Sequence, residues 1–184
     1  MQVDKFTLKQ EEAVLMIIDI QERLVPAMEN GKKVVDNTNI LIKTAQKLDI
    51  PIIGTEQYPK GLGKTVPEIR ENIDTDGFYE KLSYSAYIDE VRQALSKLGR
   101  KKVIITGMET HVCVFQTVRD LLEDGYQVFV AGDAVCSRTR DNYLNGLSLM
   151  DKMGAVITNT ESIMFDLLKV AGTPVFKELS KLIK

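Results

Sequence analysis

Apolar residues recur along this chain in two alternating forms: short unbroken runs, and longer stretches spaced every three or four positions. Ala13-Val-Leu-Met-Ile-Ile18 is a run of the first kind and ends in the carboxylate of Asp19. A run so short and uniformly apolar fits a strand covered on both faces, as in a parallel sheet. Residues 31–48 place Val34, Val35, Ile40, Leu41, Ile42, Ala45 and Leu48 at helical spacing. Residues 50–55 read as a second buried strand, with Pro51 at its start, where a missing N–H is tolerated. Residues 57–76 are rich in Pro, Gly and charge and predict a long loop with one helical turn after Pro67; loops of that length are often functional.

The alternation then repeats. Strands are predicted at 78–81, 102–106, 126–131 and 155–158. Helices are predicted at 89–98, 112–123, 141–153 and 161–170, the first three closed by Gly99, Gly125 and Gly154. The spacings are too long for hairpins, so the units are βαβ and the fold class is α/β, a mostly parallel sheet with helices on both faces. No repeat, low-complexity tract or linker interrupts the pattern, and residues 1–184 read as one domain.

Composition narrows the function classes. The 184 residues are 44% hydrophobic and 27% charged with a net charge of −2, which supplies no electrostatic case for nucleic acid or an anionic membrane. The longest apolar run falls far short of the roughly 20 residues a membrane span needs, and the N-terminus shows no signal-peptide core. Cys113 and Cys136 make no disulfide framework, so a reducing, cytoplasmic setting is expected. One His and no Trp supply metal chemistry poorly, and no metal or other cofactor is expected. Gly63-Lys-Thr65 matches the tail of a phosphate loop, but Tyr58 stands where its first glycine belongs and Pro67 interrupts the helix such a loop needs.

Ligands of open α/β sheets bind at the carboxyl ends of strands, near the point where strand order reverses. Asp19, Glu56, Lys81, the turn before Cys113 and Asp133 all fall at or just after predicted strand ends. Cys113 follows Val103-Ile-Ile-Thr-Gly-Met-Glu-Thr-His-Val, a strand running into a sharp turn and then a helix. A thiol at a helix N-terminus is pushed toward thiolate. Asp19, Lys81 and Cys113 form a chemically complete set: a carboxylate to take the thiol proton, an ammonium to stabilise the anion, and a sulfur to attack carbon. Taken singly, each has a plainer reading: a turn cap, a surface lysine, a buried small residue. His111, two positions from Cys113, would point about 200° away on a helix, so a turn or substrate-contact role suits it better than a Cys–His dyad.

Three segments in order, Leu15-Met-Ile-Ile-Asp19-Ile-Gln21, Glu80-Lys81-Leu-Ser-Tyr-Ser-Ala-Tyr87 and Thr106-Gly-Met-Glu-Thr-His-Val-Cys113-Val, resemble the isochorismatase-like cysteine hydrolases, the superfamily of nicotinamidases and N-carbamoylsarcosine amidases. The segment Thr55-Glu-Gln-Tyr-Pro-Lys-Gly-Leu-Gly63 is most similar to the isochorismatase domain-containing subgroup. The resemblance implies a three-layer αβα Rossmann-like fold with a six-stranded, mostly parallel sheet, and an Asp19–Lys81–Cys113 triad. It also implies a non-proline cis peptide between Met108 and Glu109, aiming the Glu109 and Cys113 N–H groups at an oxyanion. Substrate contacts are expected from Gln21, Glu56, Tyr58, Tyr84, Tyr87 and His111.

Two departures sharpen the picture. Nicotinamidases carry an Asp/His metal cluster after the second strand, whereas this loop holds no His. Isochorismatases proper lack the nucleophilic Cys that this chain has. The expected function is hydrolysis of an amide-type C–N bond in a small molecule through a thioester, by a homo-oligomer, a dimer or larger. A non-catalytic interaction module on the same fold and a thiol redox sensor using Cys136 are the rival readings.

Overall fold

A computed structural model describes residues 3–73 and 77–183. Positions 74–76 of the long loop, and Lys184 at the C-terminus, lie outside the described residues. Six strands among the described residues form one sheet, all parallel: β1 (Ala13–Ile18), β2 (Ile52–Gln57), β3 (Phe78–Lys81), β4 (Lys102–Met108), β5 (Gln127–Cys136) and β6 (Val156–Thr158). Their spatial order is β3-β2-β1-β4-β5-β6, so the order reverses between β1 and β4. The crevice at the carboxyl ends of those two strands is where such a fold accepts a ligand.

The unbroken apolar runs are explained by the two layers that cover them. In β1, Val14, Met16 and Ile18 enter one core while Ala13, Leu15 and Ile17 enter the other, and every residue of the strand is buried. The helices α1 (Gly31–Lys47) and α7 (Thr160–Leu168) cover one face with Val34, Leu41, Ile42, Ile163 and Leu167. The other face is covered by α4 (Asp89–Leu98), α5 (Phe115–Glu123) and α6 (Arg140–Lys152), through Val91, Leu95, Val118, Leu121 and Met150. Truncating a fully buried residue such as Leu95 to Ala should cost about 2–5 kcal/mol, because transfer energy and cavity energy add.

Three elements differ from the sequence reading. The strand predicted at 126–131 runs on to Cys136, because Val130 pairs with Ile105 and Val135 already pairs with Gly107. The residues between bulge out, and Gly132 and Asp133 interrupt the ladder without ending it. Inside the long loop Pro67 opens the expected helical turn, α3 (Pro67–Arg70), and Pro59 opens a second that was not expected, α2 (Pro59–Leu62). Each proline stands at the first helical position, where its missing N–H costs nothing. Finally, α7 stops at Leu168, and a further helix, α8 (Pro174–Leu179), begins where the Thr173 hydroxyl accepts from the Phe176 N–H at 3.1 Å.

Candidate active site

The residue after β1, Asp19, takes a left-handed backbone conformation at φ 53° and is fully buried. It turns its carboxylate into the reversal point of the sheet. Thr55 Oγ1 donates to its Oδ1 at 2.8 Å. Its Oδ2 lies 2.7 Å from Lys81 Nζ, and neither side chain has any solvent exposure. The lysine is no surface residue, as taken singly it would have been. Its ammonium also donates to Gln57 Oε1 at 2.7 Å, to the Tyr84 carbonyl at 3.0 Å and to the Ser83 carbonyl at 3.2 Å. Four oxygens thus saturate a buried cation, which compensates the several kcal/mol its desolvation costs.

The third member arrives from β4. Gly107 has φ 126°, and a Cβ there would meet the Ile18 carbonyl oxygen at 2.0 Å, so only glycine lets β4 lie this close to β1 at the site. The Met108–Glu109 peptide bond is cis. A π-helical turn, Thr110–Val114, follows and carries Cys113 into α5. On its outer side Gly146 of α6 packs directly against this turn, where a Cβ would meet the Thr110 carbonyl oxygen at 2.8 Å. The Glu109 carbonyl accepts from the N–H groups of Val112 and Val114, which flank Cys113. The Glu109 carboxylate is held outward by Arg138, which donates its backbone N–H at 3.0 Å and Nε at 3.1 Å.

Cys113 is buried beside Asp19, close enough for the carboxylate to act on its thiol. Its thiol is pushed up to about 12, first by burial and then by the Asp19 charge, with Lys81 opposing. This corrects the expectation of a thiol driven toward thiolate by a helix N-terminus. The sulfur sits inside a closed turn beside a carboxylate, and desolvation outweighs the helix dipole. Burial likewise raises the Asp19 carboxyl, against the pull of Lys81, Thr55 and Cys113. A protonated thiol beside a strengthened base is an arrangement that transfers its proton only when an electrophile arrives.

The expected substrate contacts divide. Tyr58 and Tyr84 are half exposed and meet Lys81 through their backbones, the Tyr58 N–H donating to the Lys81 carbonyl at 2.9 Å and the Tyr84 carbonyl accepting from its ammonium. His111 is half buried, and its Nδ1 lies 3.0 Å from Ser137 Oγ, a contact that ties the turn to the end of β5. The other three are corrected. Gln21 is fully buried, and its amide is used up on backbone groups: it donates to the Gln57 and Gly63 carbonyls at 3.0 and 2.7 Å and accepts from the Gln57 N–H at 2.8 Å. Glu56 accepts from the Thr65 N–H at 2.7 Å and pairs with Arg70 at 2.8 Å and Lys64 at 3.2 Å. Those partners outweigh burial and hold its carboxyl below the usual range, and they leave it no free oxygen for a ligand. Tyr87 donates its hydroxyl to Asp124 at the far end of α5, roughly 16 Å along the helix axis from Cys113.

Strand parity explains the error at Glu56. Side chains alternate along β2, so Thr55 and Gln57 face the Asp19–Lys81 pair and Glu56 necessarily faces the loop. That period of two was the available signal for Thr55 and Gln57, which the sequence reading passed over. Asp133, noted at a strand end, accepts from the Thr160 N–H and hydroxyl at 2.8 Å each and so caps α7. No cluster of three metal-ligating side chains occurs among the described residues. A cavity of about 300 Å³ between α1, the end of β5 and α6 is lined by Lys33, Cys136, Ser137, Arg140 and Tyr143. None of the three site residues reaches it.

The class defined so far is a parallel αβα protein with a buried acid, amine and thiol gathered at the reversal of its strand order. The isochorismatase domain model matches residues 13–162, and the chain belongs to the isochorismatase family. Family membership supports a hydrolase role in general. The chain is 40% identical over 177 residues to a secreted isochorismatase effector of Phytophthora sojae, covering 94% of this chain and 84% of that one. It is 37% identical over 177 residues to isochorismatase domain-containing protein 2 of Xenopus laevis, covering 96% and 85%. Among solved structures, MAR1 ribonuclease from Caenorhabditis elegans superposes with a TM-score of 0.91 at 36% identity, covering 96% of this chain and 92% of that one. The Escherichia coli YcaC protein, described as an octameric hydrolase of unknown specificity, shares the fold with a TM-score of 0.89 at 22% identity, over 96% and 90%.

Proposed function

We propose that the protein is a cysteine hydrolase that cleaves an amide-type C–N bond of a small molecule, with Asp19, Lys81 and Cys113 as its catalytic residues in one domain. The observation that carries this reading is the fully buried Asp19–Lys81 pair, 2.7 Å apart, beside the buried Cys113. Asp19 takes the thiol proton as Sγ attacks the carbonyl carbon. Lys81 keeps the transferred charge balanced; its donors are already engaged, so its role is electrostatic. The backbone N–H groups of Glu109 and Cys113 receive the oxyanion. Collapse of the tetrahedral intermediate breaks the C–N bond, and the amine leaves with the proton held by Asp19. Water, deprotonated by Asp19, then attacks the thioester, releasing the carboxylic acid and restoring the thiol.

The test is a screen of small amides with intact-protein mass spectrometry. A substrate should add its acyl mass to Cys113, the adduct should be released by hydroxylamine, and Cys113→Ala should neither acquire it nor turn over. Full turnover by Cys113→Ala would refute the assignment and leave the non-catalytic module as the better reading.

A second reading, RNA hydrolysis, comes from the name of the Caenorhabditis elegans relative. The net charge of −2 gives this chain little attraction for a phosphate backbone. Incubating labelled RNA with wild type and Cys113→Ala separates the two activities. The redox reading is disfavoured because Cys113 and Cys136 pack into the cores on opposite faces of the sheet. Two free thiols suit a reducing compartment. No helix among the described residues is long and apolar enough to cross a membrane. Self-association is part of the proposal, supported by Leu144, Leu149 and Met153 lying exposed on or beside α6, and light scattering of the purified chain tests it.

A further inference from the structure

The lysine cage depends on a segment with no regular structure. Residues 82–87 follow β3 as a series of bends, carry the exposed Leu82 and Tyr84, and supply two carbonyls to the Lys81 ammonium. Within the segment, Ser83 Oγ donates to the Ser85 carbonyl at 2.9 Å and Ser85 Oγ accepts from the Tyr87 N–H at 3.2 Å. These bonds shape the loop but do not attach it to anything. Its two ends are held by Gln57 Nε2, which donates to the Leu82 carbonyl at 2.9 Å, and by the Tyr87 hydroxyl on Asp124; between them the Ala86 N–H donates to Thr117 Oγ1 of α5 at 2.8 Å.

That same hydroxyl donates to the Cys113 carbonyl at 2.6 Å, and Thr117 is fully buried. A hydroxyl has one proton. With the proton committed to Cys113, the oxygen can only accept, and the Ala86 N–H is the donor it faces. The bonding sense is therefore unique, and the contacts form a chain from the nucleophile's turn to the acid: Cys113 carbonyl, Thr117 hydroxyl, Ala86 N–H, the Ser83 and Tyr84 carbonyls, Lys81 ammonium, Asp19 carboxylate.

We infer that Thr117 is a positioning residue whose hydroxyl ties the carbonyl cage of Lys81 to the turn that carries Cys113, setting amine and thiol at a fixed separation. The inference rests on the proposed nucleophile, and it predicts a specific electrostatic consequence. Lys81 is the group that pulls the Cys113 thiol down against burial and Asp19. A loosened cage lets the ammonium move away and hydrate, so the thiol holds its proton to higher pH.

The experiment compares wild type, Thr117→Val and Thr117→Ser. Valine keeps the shape and removes both hydrogen bonds, and serine keeps the hydroxyl. The first readout is the rate of Cys113 alkylation by iodoacetamide across pH, located by peptide mass mapping, which needs no knowledge of the substrate. The second is amide exchange of the peptide containing Ala86. Thr117→Val should displace the alkylation profile by about one pH unit upward, seen as roughly tenfold slower labelling at a fixed pH below the midpoint. It should also speed exchange at Ala86 about tenfold, the loss expected for one hydrogen bond. Thr117→Ser should stay within about threefold of wild type on both.

An unchanged profile in Thr117→Val would overturn the inference, and so would Thr117→Ser falling as far as valine. If the valine variant does not fold, Thr117→Ala against Thr117→Ser makes the same comparison. Failure of the hydrolase reading shows up separately, as wild-type Cys113 that no substrate acylates, and leaves the alkylation comparison intact.

Discussion

Two lysines are buried at opposite ends of this sheet, and they do different work. Lys102 opens β4 at the amino edge; its ammonium donates to the Thr7 carbonyl at 2.6 Å and pairs with Glu12 at 2.9 Å. Glu12 keeps 36% of its side chain exposed, and Lys102 and Lys9 lower its carboxyl below the ordinary range. That is a structural ion pair at its ease, half in water. Lys81 closes β3 at the carboxyl edge, and its partner Asp19 has no solvent exposure and a carboxyl that burial drives upward. Burial of a lysine is therefore not by itself a functional sign. What distinguishes the candidate site is that acid and thiol are buried together beside the amine, so the acid and the thiol each depend on their neighbours for their protonation state.

The two cysteines repeat the lesson. Both thiols are raised to about 12 by burial. Only Cys113 has the buried Asp19 carboxylate beside it to receive its proton. If that neighbour is what matters, Cys113→Ser should lower turnover by at least about a thousandfold, in the range lost when a nucleophile is removed. Cys136→Ser should stay within about threefold. Steady-state kinetics on one substrate checks both, and equal losses would dissolve the contrast.

Asp19→Asn probes the pair from the acid's side. Turnover should fall by about a hundredfold or more, because the general base is gone. Iodoacetamide labelling of Cys113 near pH 8 should become faster, since a charge that raises the thiol has been removed while Lys81 remains. Loss of activity together with gain of thiol reactivity is the signature. Slower labelling would mean that Asp19 does not govern the sulfur.

Stability separates the lysines. Lys81→Met leaves a buried carboxylate without its cation and should cost about 3–5 kcal/mol by urea unfolding at neutral pH. Lys102→Met leaves a Glu12 that can turn to solvent and should cost about 1 kcal/mol. Equal costs would make Lys81 an ordinary structural lysine.

The last effect depends on pH. The thiol of Cys136 rises from 9.0 to about 12 on folding, so the folded chain keeps a proton the unfolded chain loses. Its contribution to stability is complete below pH 9 and disappears as pH climbs from 9 toward 12. The stability advantage of wild type over Cys136→Ala should therefore shrink above pH 9, by up to about 1.4 kcal/mol per pH unit. Urea unfolding at pH 8, 9 and 10.5 measures it, and a constant difference would place the thiol near its ordinary value.

Much of this molecule was legible before any coordinates. The six-residue apolar run of β1 requires cover on both faces, and it has it. The alternation of such runs with helical spacing dictates a parallel αβα sheet, and strand ends in that sheet converge wherever their order reverses. Asp19, Lys81 and Cys113 could be chosen on that ground, and the motif resemblance pointed to the same three. The errors came where a local rule met a long-range contact. Gln21 and Glu56 stand at plausible strand ends, yet the 57–70 loop folds back and consumes their polar atoms. Cys113 stands at a plausible helix start, yet burial beside Asp19 reverses the sense of its titration.

The chain's pattern of apolar positions, a local and periodic property, determined by itself the layers, the strand direction and the short list of chemistry-bearing residues. Which of those residues meet, which oxygens saturate Lys81, and that a threonine in α5 links the amine's loop to the thiol's turn were decided only in three dimensions. The physical reason is that a proton affinity or a hydrogen bond depends on what is desolvated beside it, and those neighbours lie tens of residues away along the chain.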